Sequence, residues 1–158
     1  MPANAADDQS GLREAASAIR EMSPGPLILG GHSYGGRQAT LLAAAEPNVA
    51  DTLLLVSYPL HPPAKPSQLR TTHWNTLQTP SFFVHGTKDP FGSIEEMQSA
   101  IPLIPAPTAL IAIQKAGHDL NGGKFDIESL VLEPFRTFCS NLNRQIDLSR
   151  NHTQSGDD

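Results

Sequence analysis

Short apolar runs alternate with amphipathic segments along most of the chain, and this alternation predicts an α/β fold. Four of the runs are almost wholly apolar, which is typical of strands buried on both faces of a parallel sheet. They cover residues 27–29, 52–57, 81–85 and 109–113. Five segments have apolar residues at helical spacing and cover residues 10–22, 34–45, 67–77, 93–101 and 127–143. Strands that alternate with helices predict a parallel sheet of about four strands, with right-handed crossovers and helices on both faces.

Capping and helix-breaking residues set the expected boundaries of these elements. Ser10 can cap the first helix, because Glu14 follows it in the first turn. Pro134 lies inside the last helical segment, where it predicts a kink or a split. The chain ends, 1–9 and 147–158, are small and polar, so they are predicted to be flexible tails. The rest of the chain is then one α/β domain.

That domain is expected over residues 10–146, because 158 residues suffice for one compact domain. The net charge is −5 and the eleven Lys and Arg residues are scattered singly, which disfavours nucleic-acid binding. One cysteine, Cys139, can form neither an internal disulfide nor a multi-cysteine zinc site. No apolar run approaches the roughly 20 residues of a membrane span, and no signal-peptide pattern opens the chain. We therefore expect a cytoplasmic protein with neither nucleic acid nor membrane as a partner.

A nucleophile motif follows the first predicted strand. Residues 31–35 read Gly-His-Ser-Tyr-Gly and match the pattern G-x-S-x-G, with a predicted helix directly after it. In such a turn the serine backbone is strained and the Ser33 hydroxyl is exposed. Side chains at the positions of Gly31 and Gly35 are expected to clash with their surroundings, so that both positions require glycine. The Tyr34 N–H, at the helix start, is then expected to stabilise an oxyanion. The alternative is a glycine-rich turn in which the serine only fills space.

Two further residues, of types that take part in acyl transfer, follow later strands. Asp89 comes after the third predicted strand and His118 after the fourth. Each has an alternative interpretation, since Asp before Pro is a common turn residue and a loop histidine is often only a surface residue. The order Ser33, Asp89, His118, each just past a strand, favours a catalytic triad. No pair of histidines has metal-ligand spacing on a helix, so neither a metal nor another cofactor is expected.

Four more residues are candidates for substrate binding. His32 lies inside the motif, where it either assists the oxyanion or packs under the turn. Tyr58 and His61 follow the second strand and are expected to line the pocket at the carboxyl edge of the sheet. Trp74 is expected to form a wall of the acyl pocket, and the alternative is that it is simply half-buried.

Three segments together resemble the α/β-hydrolase superfamily: residues 57–63 (SYPLHPP), 85–92 (HGTKDPFG) and 116–120 (AGHDL). They are similar to the dienelactone-hydrolase-related branch that contains the testis-expressed hydrolase-like protein and the third subunit of the NSL histone-acetyltransferase complex. The resemblance runs from about Leu12 to Asn143. It implies Ser33 as nucleophile, His118 as base and Asp89 as its partner, and it implies no particular substrate.

The chain departs from this superfamily in its number of strands. The superfamily's sheet normally has eight strands, and the chain supplies only the last four. The missing half includes the loop that usually donates the second oxyanion N–H, and removal of one donor typically costs about 100- to 1,000-fold in rate. The first strand would also be an exposed edge. We therefore expect either a fragment or a homodimer that forms through the edge strand near Leu27–Leu29.

Two functions remain open on these residues. The first is a serine hydrolase that cleaves a small-molecule ester, thioester or amide through an acyl-enzyme on Ser33, without a cofactor. The second is a non-catalytic interaction module, or an inactive partial domain, that has the hydrolase scaffold.

Overall fold

The computed structural model describes residues 4–121 and 125–153 of the chain. The chain divides into two compact units, Met1–Lys124 and Phe125–Asp158. The described residues of the first unit form four strands, namely β1 (Ile28–His32), β2 (Thr52–Val56), β3 (Ser81–Gly86) and β4 (Thr108–Ile113). The same described residues form three α-helices, namely α1 (Ala5–Met22), α2 (Tyr34–Ala45) and α3 (Ile94–Ala100).

The four strands form one parallel sheet in the order β1-β2-β3-β4. Each of β2, β3 and β4 therefore pairs with the strand that precedes it in the chain, and within the described part of the chain β1 pairs on one side only, with β2. Parallel pairing brings all four carboxyl ends to the same edge, where ligands bind in sheets of this kind. The parallel α/β sheet predicted from the apolar runs is confirmed.

The main core lies between one face of this sheet and helices α2 and α3. Leu55 of β2 is in register with Phe83 of β3, so that both side chains lie on this face. Right-handed crossovers between successive neighbouring strands require both helices to cover the same face. The core cluster combines strand, helix and loop residues, namely Ala39, Ala43, Ala50, Leu53, Leu55, Tyr58, Leu60, Trp74, Leu77, Phe83, Met97, Ala100, Ile101 and Ile104.

Helix α1 begins five residues before the predicted cap. The cap is Asn4, whose side chain accepts a 3.2 Å hydrogen bond from the N–H of Ala6, and not Ser10. Asp7 and Asp8 lie in the first turn, where carboxylates interact favourably with the helix dipole. Residues 5–9, predicted as part of a flexible tail, are therefore helical.

The helix predicted over residues 67–77 is wrong. This segment contains only a single 3₁₀ turn, Trp74–Thr76. Its several Thr, Asn and His residues are weak helix formers. The backbone of this segment forms hydrogen bonds with other segments instead, since the Arg70 N–H donates to the Leu60 carbonyl and the Arg70 carbonyl accepts from the Tyr58 hydroxyl.

The second unit is helical. A π-helical turn, Glu128–Leu132, leads directly into helix α4, Glu133–Thr153. Pro134 is the second residue of α4 and directly follows the π-helical turn, so in place of the predicted kink or split the winding changes from π to α just before the proline. Residues 147–153, predicted as a tail, continue the helix because no Gly or Pro interrupts them. The other tail residues, 1–3 and 154–158, lie outside the described residues, and the 10–146 domain stays a prediction.

Candidate active site

A strained turn joins β1 to α2 at Ser33. The strand ends at His32 and the helix begins at Tyr34, so that Ser33 alone makes the connection. Its φ of 52° and ψ of −116° lie outside the regions that L-residues favour. The Ser33 N–H donates to the Val56 carbonyl at 2.9 Å, and the Ser33 carbonyl accepts from the Arg37 N–H at 3.1 Å. Bonds to β2 and to the helix thus hold the strained backbone in place.

Two glycines allow β1 and α2 to approach each other at this turn. A Cβ on Gly31 would lie 2.7 Å from the carbonyl carbon of Gly35, and a Cβ on Gly36 would lie 2.8 Å from the Gly31 oxygen. A Cβ on Gly35 would meet nothing within 4 Å. The expectation that both motif glycines are sterically required is therefore correct for Gly31 and wrong for Gly35, and Gly36 takes its place.

The carboxyl ends of β1, β3 and β4 bring together Ser33, Asp89 and His118. Ser33 Oγ lies 2.7 Å from His118 Nε2. His118 Nδ1 lies 2.9 Å from Asp89 Oδ2 and 3.0 Å from Asp89 Oδ1. Because the carboxylate can only accept, Nδ1 carries the ring proton and Nε2 presents its lone pair to the serine hydroxyl. This arrangement can transfer a proton from Ser33 to His118.

The Asp89 carboxylate is buried and fixed from several sides. Its side chain has no solvent exposure, and Oδ1 accepts a 2.8 Å hydrogen bond from the Phe91 N–H. His85 Nε2 lies 3.7 Å from Oδ2 but donates instead to the Gly92 carbonyl at 2.7 Å. Burial lowers the pKa of His85, so that this neighbouring ring stays neutral. The histidine that hydrogen-bonds to the carboxylate is therefore His118, not His85.

The His118 ring has two neighbouring rings. The Phe91 ring is 4.1 Å away between centroids and tilted by 30°, and the His32 ring is 5.3 Å away. His32 Nε2 donates a 2.8 Å hydrogen bond to the backbone carbonyl of His118. His32 therefore holds the loop of His118 and does not pack under the turn at residues 31–35, which is called the elbow below, while its role in substrate binding stays a prediction. Sequence reasoning missed Phe91, because an aromatic residue after Asp-Pro carries no distinguishing signal.

Tyr34 begins α2, and its backbone N–H precedes the first intrahelical bond. The phenol hydroxyl donates a 2.8 Å hydrogen bond to Asp8 Oδ2, and this bond raises the pKa of Tyr34. A cleft of about 450 Å³ lies beside the elbow, lined by Tyr34, Gly35 and Gln38 of α2 and by Asp7, Asp8, Gly11 and Leu12 of α1.

Tyr58 and Trp74, predicted to line the pocket, are instead core residues. Both are 0% exposed, and their ring centroids are 5.0 Å apart. The Tyr58 hydroxyl donates to the Arg70 carbonyl at 2.7 Å. Large aromatic rings gain more from burial in the main core than from exposure at a sheet edge, so the loop after β2 folds inward. The prediction that they contact substrate is therefore wrong.

His61 is also buried, at 4% exposure, and bridges two elements. Its Nδ1 lies 2.8 Å from the Pro62 carbonyl and its Nε2 lies 3.2 Å from Glu96 Oε2. Burial lowers the pKa of His61, but these two acceptors outweigh burial and raise it above 6.5. The pocket-lining role predicted for His61 is wrong, since both ring nitrogens are engaged in structural bonds.

Within residues 4–121 and 125–153, no group of three or more His, Cys, Asp or Glu side chains could hold a metal ion. In the same part of the chain, no helix combines the length and the apolar character that crossing a membrane requires.

The parallel sheet and the elbow at Ser33 define a hydrolase scaffold, and the family is shown directly. Residues 3–130 match the family described as alpha/beta hydrolase domain. The chain belongs to this family.

Solved structures share the fold at low sequence identity. A serine hydrolase homologue from Coxiella burnetii is 15% identical with a TM-score of 0.62, over 90% of this chain and 62% of that chain. An esterase domain from Rhodothermus marinus is 19% identical with a TM-score of 0.56, over 72% and 60% of the two chains. A dienelactone hydrolase from Anabaena variabilis is 19% identical with a TM-score of 0.57, over 82% and 56%. The chain thus spans about three fifths of the length of these structures.

Proposed function

We propose that the chain is a serine hydrolase that cleaves a small-molecule ester, thioester or amide through an acyl-enzyme on Ser33. One observation carries the proposal. The Ser33 hydroxyl lies 2.7 Å from His118 Nε2, and the other ring nitrogen of His118 lies 2.9 Å from the buried Asp89. This is the distance and tautomer that removal of the serine proton needs.

The proposed reaction has two halves. Ser33 Oγ attacks the substrate carbonyl carbon as His118 Nε2 takes its proton, and the Asp89 carboxylate stabilises the resulting imidazolium. The Tyr34 N–H stabilises the oxyanion. When the intermediate collapses, the leaving alcohol, thiol or amine takes the proton from His118. Water then gives a proton to His118 and attacks the acyl-enzyme, and the collapse of the second intermediate returns that proton to Ser33 as the acid leaves.

Oxygen esters of activated alcohols are the best substrate class under this proposal. The Tyr34 N–H is the one oxyanion donor that the sequence and the elbow assign, and one missing donor costs about 100- to 1,000-fold in rate. A good leaving group lowers the demand on oxyanion stabilisation. The names of two similar structures, an esterase domain and a dienelactone hydrolase, support ester chemistry. We also place the chain in the branch related to dienelactone hydrolases, on the segments SYPLHPP, HGTKDPFG and AGHDL.

A fluorophosphonate probe tests this function directly. The purified chain is incubated with the probe and its intact mass is read, with Ser33→Ala as the control and a thermal melt to show that both fold. We expect one adduct on the parent chain and none on the variant. A folded parent chain without an adduct would contradict the proposal and favour the second candidate, a non-catalytic module with the hydrolase scaffold, which the single assigned oxyanion donor supports.

We further propose that two copies associate through the edge of β1. Among the residues that the structure describes, this strand pairs on one side only, and Ile28 is 46% exposed. Its remaining residues include Gly30 and Gly31 and no Lys or Pro, the residues that usually protect an edge. Size-exclusion chromatography with light scattering should give a dimer mass, and a stable monomer would contradict this proposal. Neither nucleic acid nor membrane is expected as a partner, and a cytoplasmic location stays a prediction.

A further inference from the structure

Phe91 contacts both His118 and Asp89. Its ring lies 4.1 Å from the His118 ring between centroids and is tilted against it by 30°. Its backbone N–H donates to Asp89 Oδ1 at 2.8 Å. The ring separation falls within the reach of about 6 Å over which an aromatic face attracts a cation. One residue thus lies against the proposed base and also holds the carboxylate that orients that base.

Hydrogen bonds on both sides of the chain fix the turn that carries Phe91. The Phe91 carbonyl accepts from the His61 N–H at 3.0 Å. The N–H of the next residue, Gly92, donates to the Asp89 carbonyl at 3.4 Å, and its own carbonyl accepts from His85 Nε2 at 2.7 Å. None of these bonds uses the Phe91 side chain. A substitution of that side chain is therefore expected to leave Asp89 in place and to alter only the ring beside the base.

An aromatic face can affect a histidine in two opposite ways. The negative face of the ring attracts an imidazolium and so favours the protonated histidine. The same ring also excludes water, and the loss of water disfavours the charged form. The His118 side chain is 21% exposed, so the base keeps contact with solvent beside the Phe91 ring. The attraction is therefore expected to exceed the cost of the lost water.

Other titratable groups face His118 from three elements. Asp89 Oδ2, on the loop after β3, lies 2.9 Å from Nδ1. The His32 ring, at the end of β1, lies 5.3 Å away between centroids. The charge of His118 also acts on His85 of β3 and on Asp119, the next residue of its own loop. All of these groups are the same in the parent chain and in a variant of the aromatic ring, so a difference between the two reports the effect of the ring.

We propose that Phe91 is a positioning residue of the hydrolase, whose ring holds the His118 imidazole toward Ser33 and stabilises its protonated form. This inference rests on the proposed function and adds to it a residue outside the triad. In the proposed reaction the proton of Ser33 Oγ goes to His118 Nε2 and then to the leaving group, and no bond to Phe91 forms or breaks. The ring lowers the free energy of the two steps in which His118 carries the proton.

Two substitutions separate the aromatic face from the apolar volume. Phe91→Leu keeps an apolar side chain that excludes water and removes the aromatic face, whereas Phe91→Tyr keeps the face. We would measure kcat and KM on an activated ester between about pH 5 and pH 9. Phe91→Leu should lower kcat about 2- to 5-fold with little change in KM. It should also move the midpoint of the acid limb of kcat/KM by about 0.4–0.7 unit to lower pH, because the imidazolium has lost a stabilising contact. Phe91→Tyr should keep the midpoint of the parent.

Phe83→Leu is the matched control for the loss of a phenylalanine. The Phe83 ring packs against the rings of Tyr58 and Trp74 in the core, so its melting temperature should fall while the midpoint stays that of the parent. A midpoint that rises in Phe91→Leu would show that exclusion of water is the larger effect and would overturn the proposal. An unchanged midpoint in Phe91→Leu would overturn it equally.

A measurement without turnover keeps this test separate from the proposed function. In Ser33→Ala, with and without Phe91→Leu, the ring C–H resonances of His118 are followed by NMR across the pH range, with His118→Gln for their assignment. The midpoint should again fall by about 0.4–0.7 unit when Phe91 is replaced, and equal midpoints would contradict the proposal. Failure of the hydrolase function would be seen separately, as the absence of a fluorophosphonate adduct on the folded parent chain.

Discussion

His32 Nε2 donates a 2.8 Å hydrogen bond to the backbone carbonyl of His118, across the carboxyl edge of the sheet. The bond joins the end of β1 to the loop that follows β4, and these are the two outer strands. The residue next to the proposed nucleophile therefore fixes the main chain of the proposed base. The position of His118 depends on this bond as well as on Asp89.

Removal of this tether should slow the reaction without abolishing it. We expect His32→Ala to lower kcat about 3- to 10-fold with little change in KM, because one hydrogen bond that positions the base is lost. His32→Gln has an amide N–H at similar reach and should recover part of the rate. Steady-state kinetics and melting temperatures of both variants make the check. A loss of stability with unchanged kcat would show that His32 is only structural.

Replacement of the buried carboxylate should have a much larger effect. Asp89→Asn should lower kcat about 10³- to 10⁴-fold, because an amide can stabilise the wrong tautomer of His118 and cannot stabilise the imidazolium. Asp119→Asn is the matched control, since Asp119 adjoins His118 in sequence but bonds to Asn121. Kinetics on an activated ester compare the two variants. Equal rates would contradict the role proposed for Asp89.

The elbow glycines should respond unequally to the same added methyl group. Gly31→Ala places a Cβ against the backbone of Gly35 and should lower the free energy of unfolding by about 2–4 kcal/mol. Gly35→Ala meets open space inside a helix and should raise it by about 0.5–1 kcal/mol. Urea denaturation measures both values. Similar destabilisation by the two variants would contradict the close approach of β1 and α2 at Gly31.

His61 should make stability fall at alkaline pH. Its two ring nitrogens face the Pro62 carbonyl and the Glu96 carboxylate, and the pKa of His61 is raised above 6.5 despite burial. The stabilisation is full below about pH 6.5 and is lost as the pH rises through the folded pKa, by about 1 kcal/mol. Urea denaturation at about pH 6 and pH 8.5 measures this decrease. Glu96→Gln should make it smaller, and an unchanged decrease would exclude this pair as its source.

His73 should act in the opposite direction at acid pH. Burial and the Arg37 charge lower its pKa from 6.5 to about 4, so that the unfolded chain binds a proton that the folded chain does not. Stability should therefore fall as the pH drops from about 6.5 to about 4, by roughly 2–3 kcal/mol. His73→Gln should remove most of this slope, as measured by denaturation at several pH values. A slope that persists in the variant belongs to other groups.

The sheet and the triad geometry could be predicted because both depend on local patterns. Each strand coincides with an apolar run, and Ser33, Asp89 and His118, which are residue types of acyl transfer, follow at the strand ends. Parallel pairing then brings those ends to one edge without any knowledge of side-chain packing. The catalytic roles themselves stay predictions until the experiments above are made.

The lining of the site could not be predicted, because it depends on long-range bonds. Tyr58 and Trp74 are residue types that often line pockets, yet both side chains are buried in the core. His32 hydrogen-bonds to a carbonyl 86 residues away, which its position in the sequence motif does not indicate. Residues 67–77 have apolar side chains at helical spacing, but Arg70 hydrogen-bonds to Leu60 and Tyr58. The spacing gives no sign of these bonds.

The sequential strand order also gives the protein a direction of assembly. Each strand adds to the edge left by the one before, so the sheet can grow in the order in which a ribosome delivers the chain. The elbow at Ser33 needs only β1, α2 and β2, whereas His118 follows 85 residues later. A nascent or truncated chain that lacks β4 thus presents a serine hydroxyl with no base beside it. Any reactivity of Ser33 begins only after the fourth strand has been made and paired.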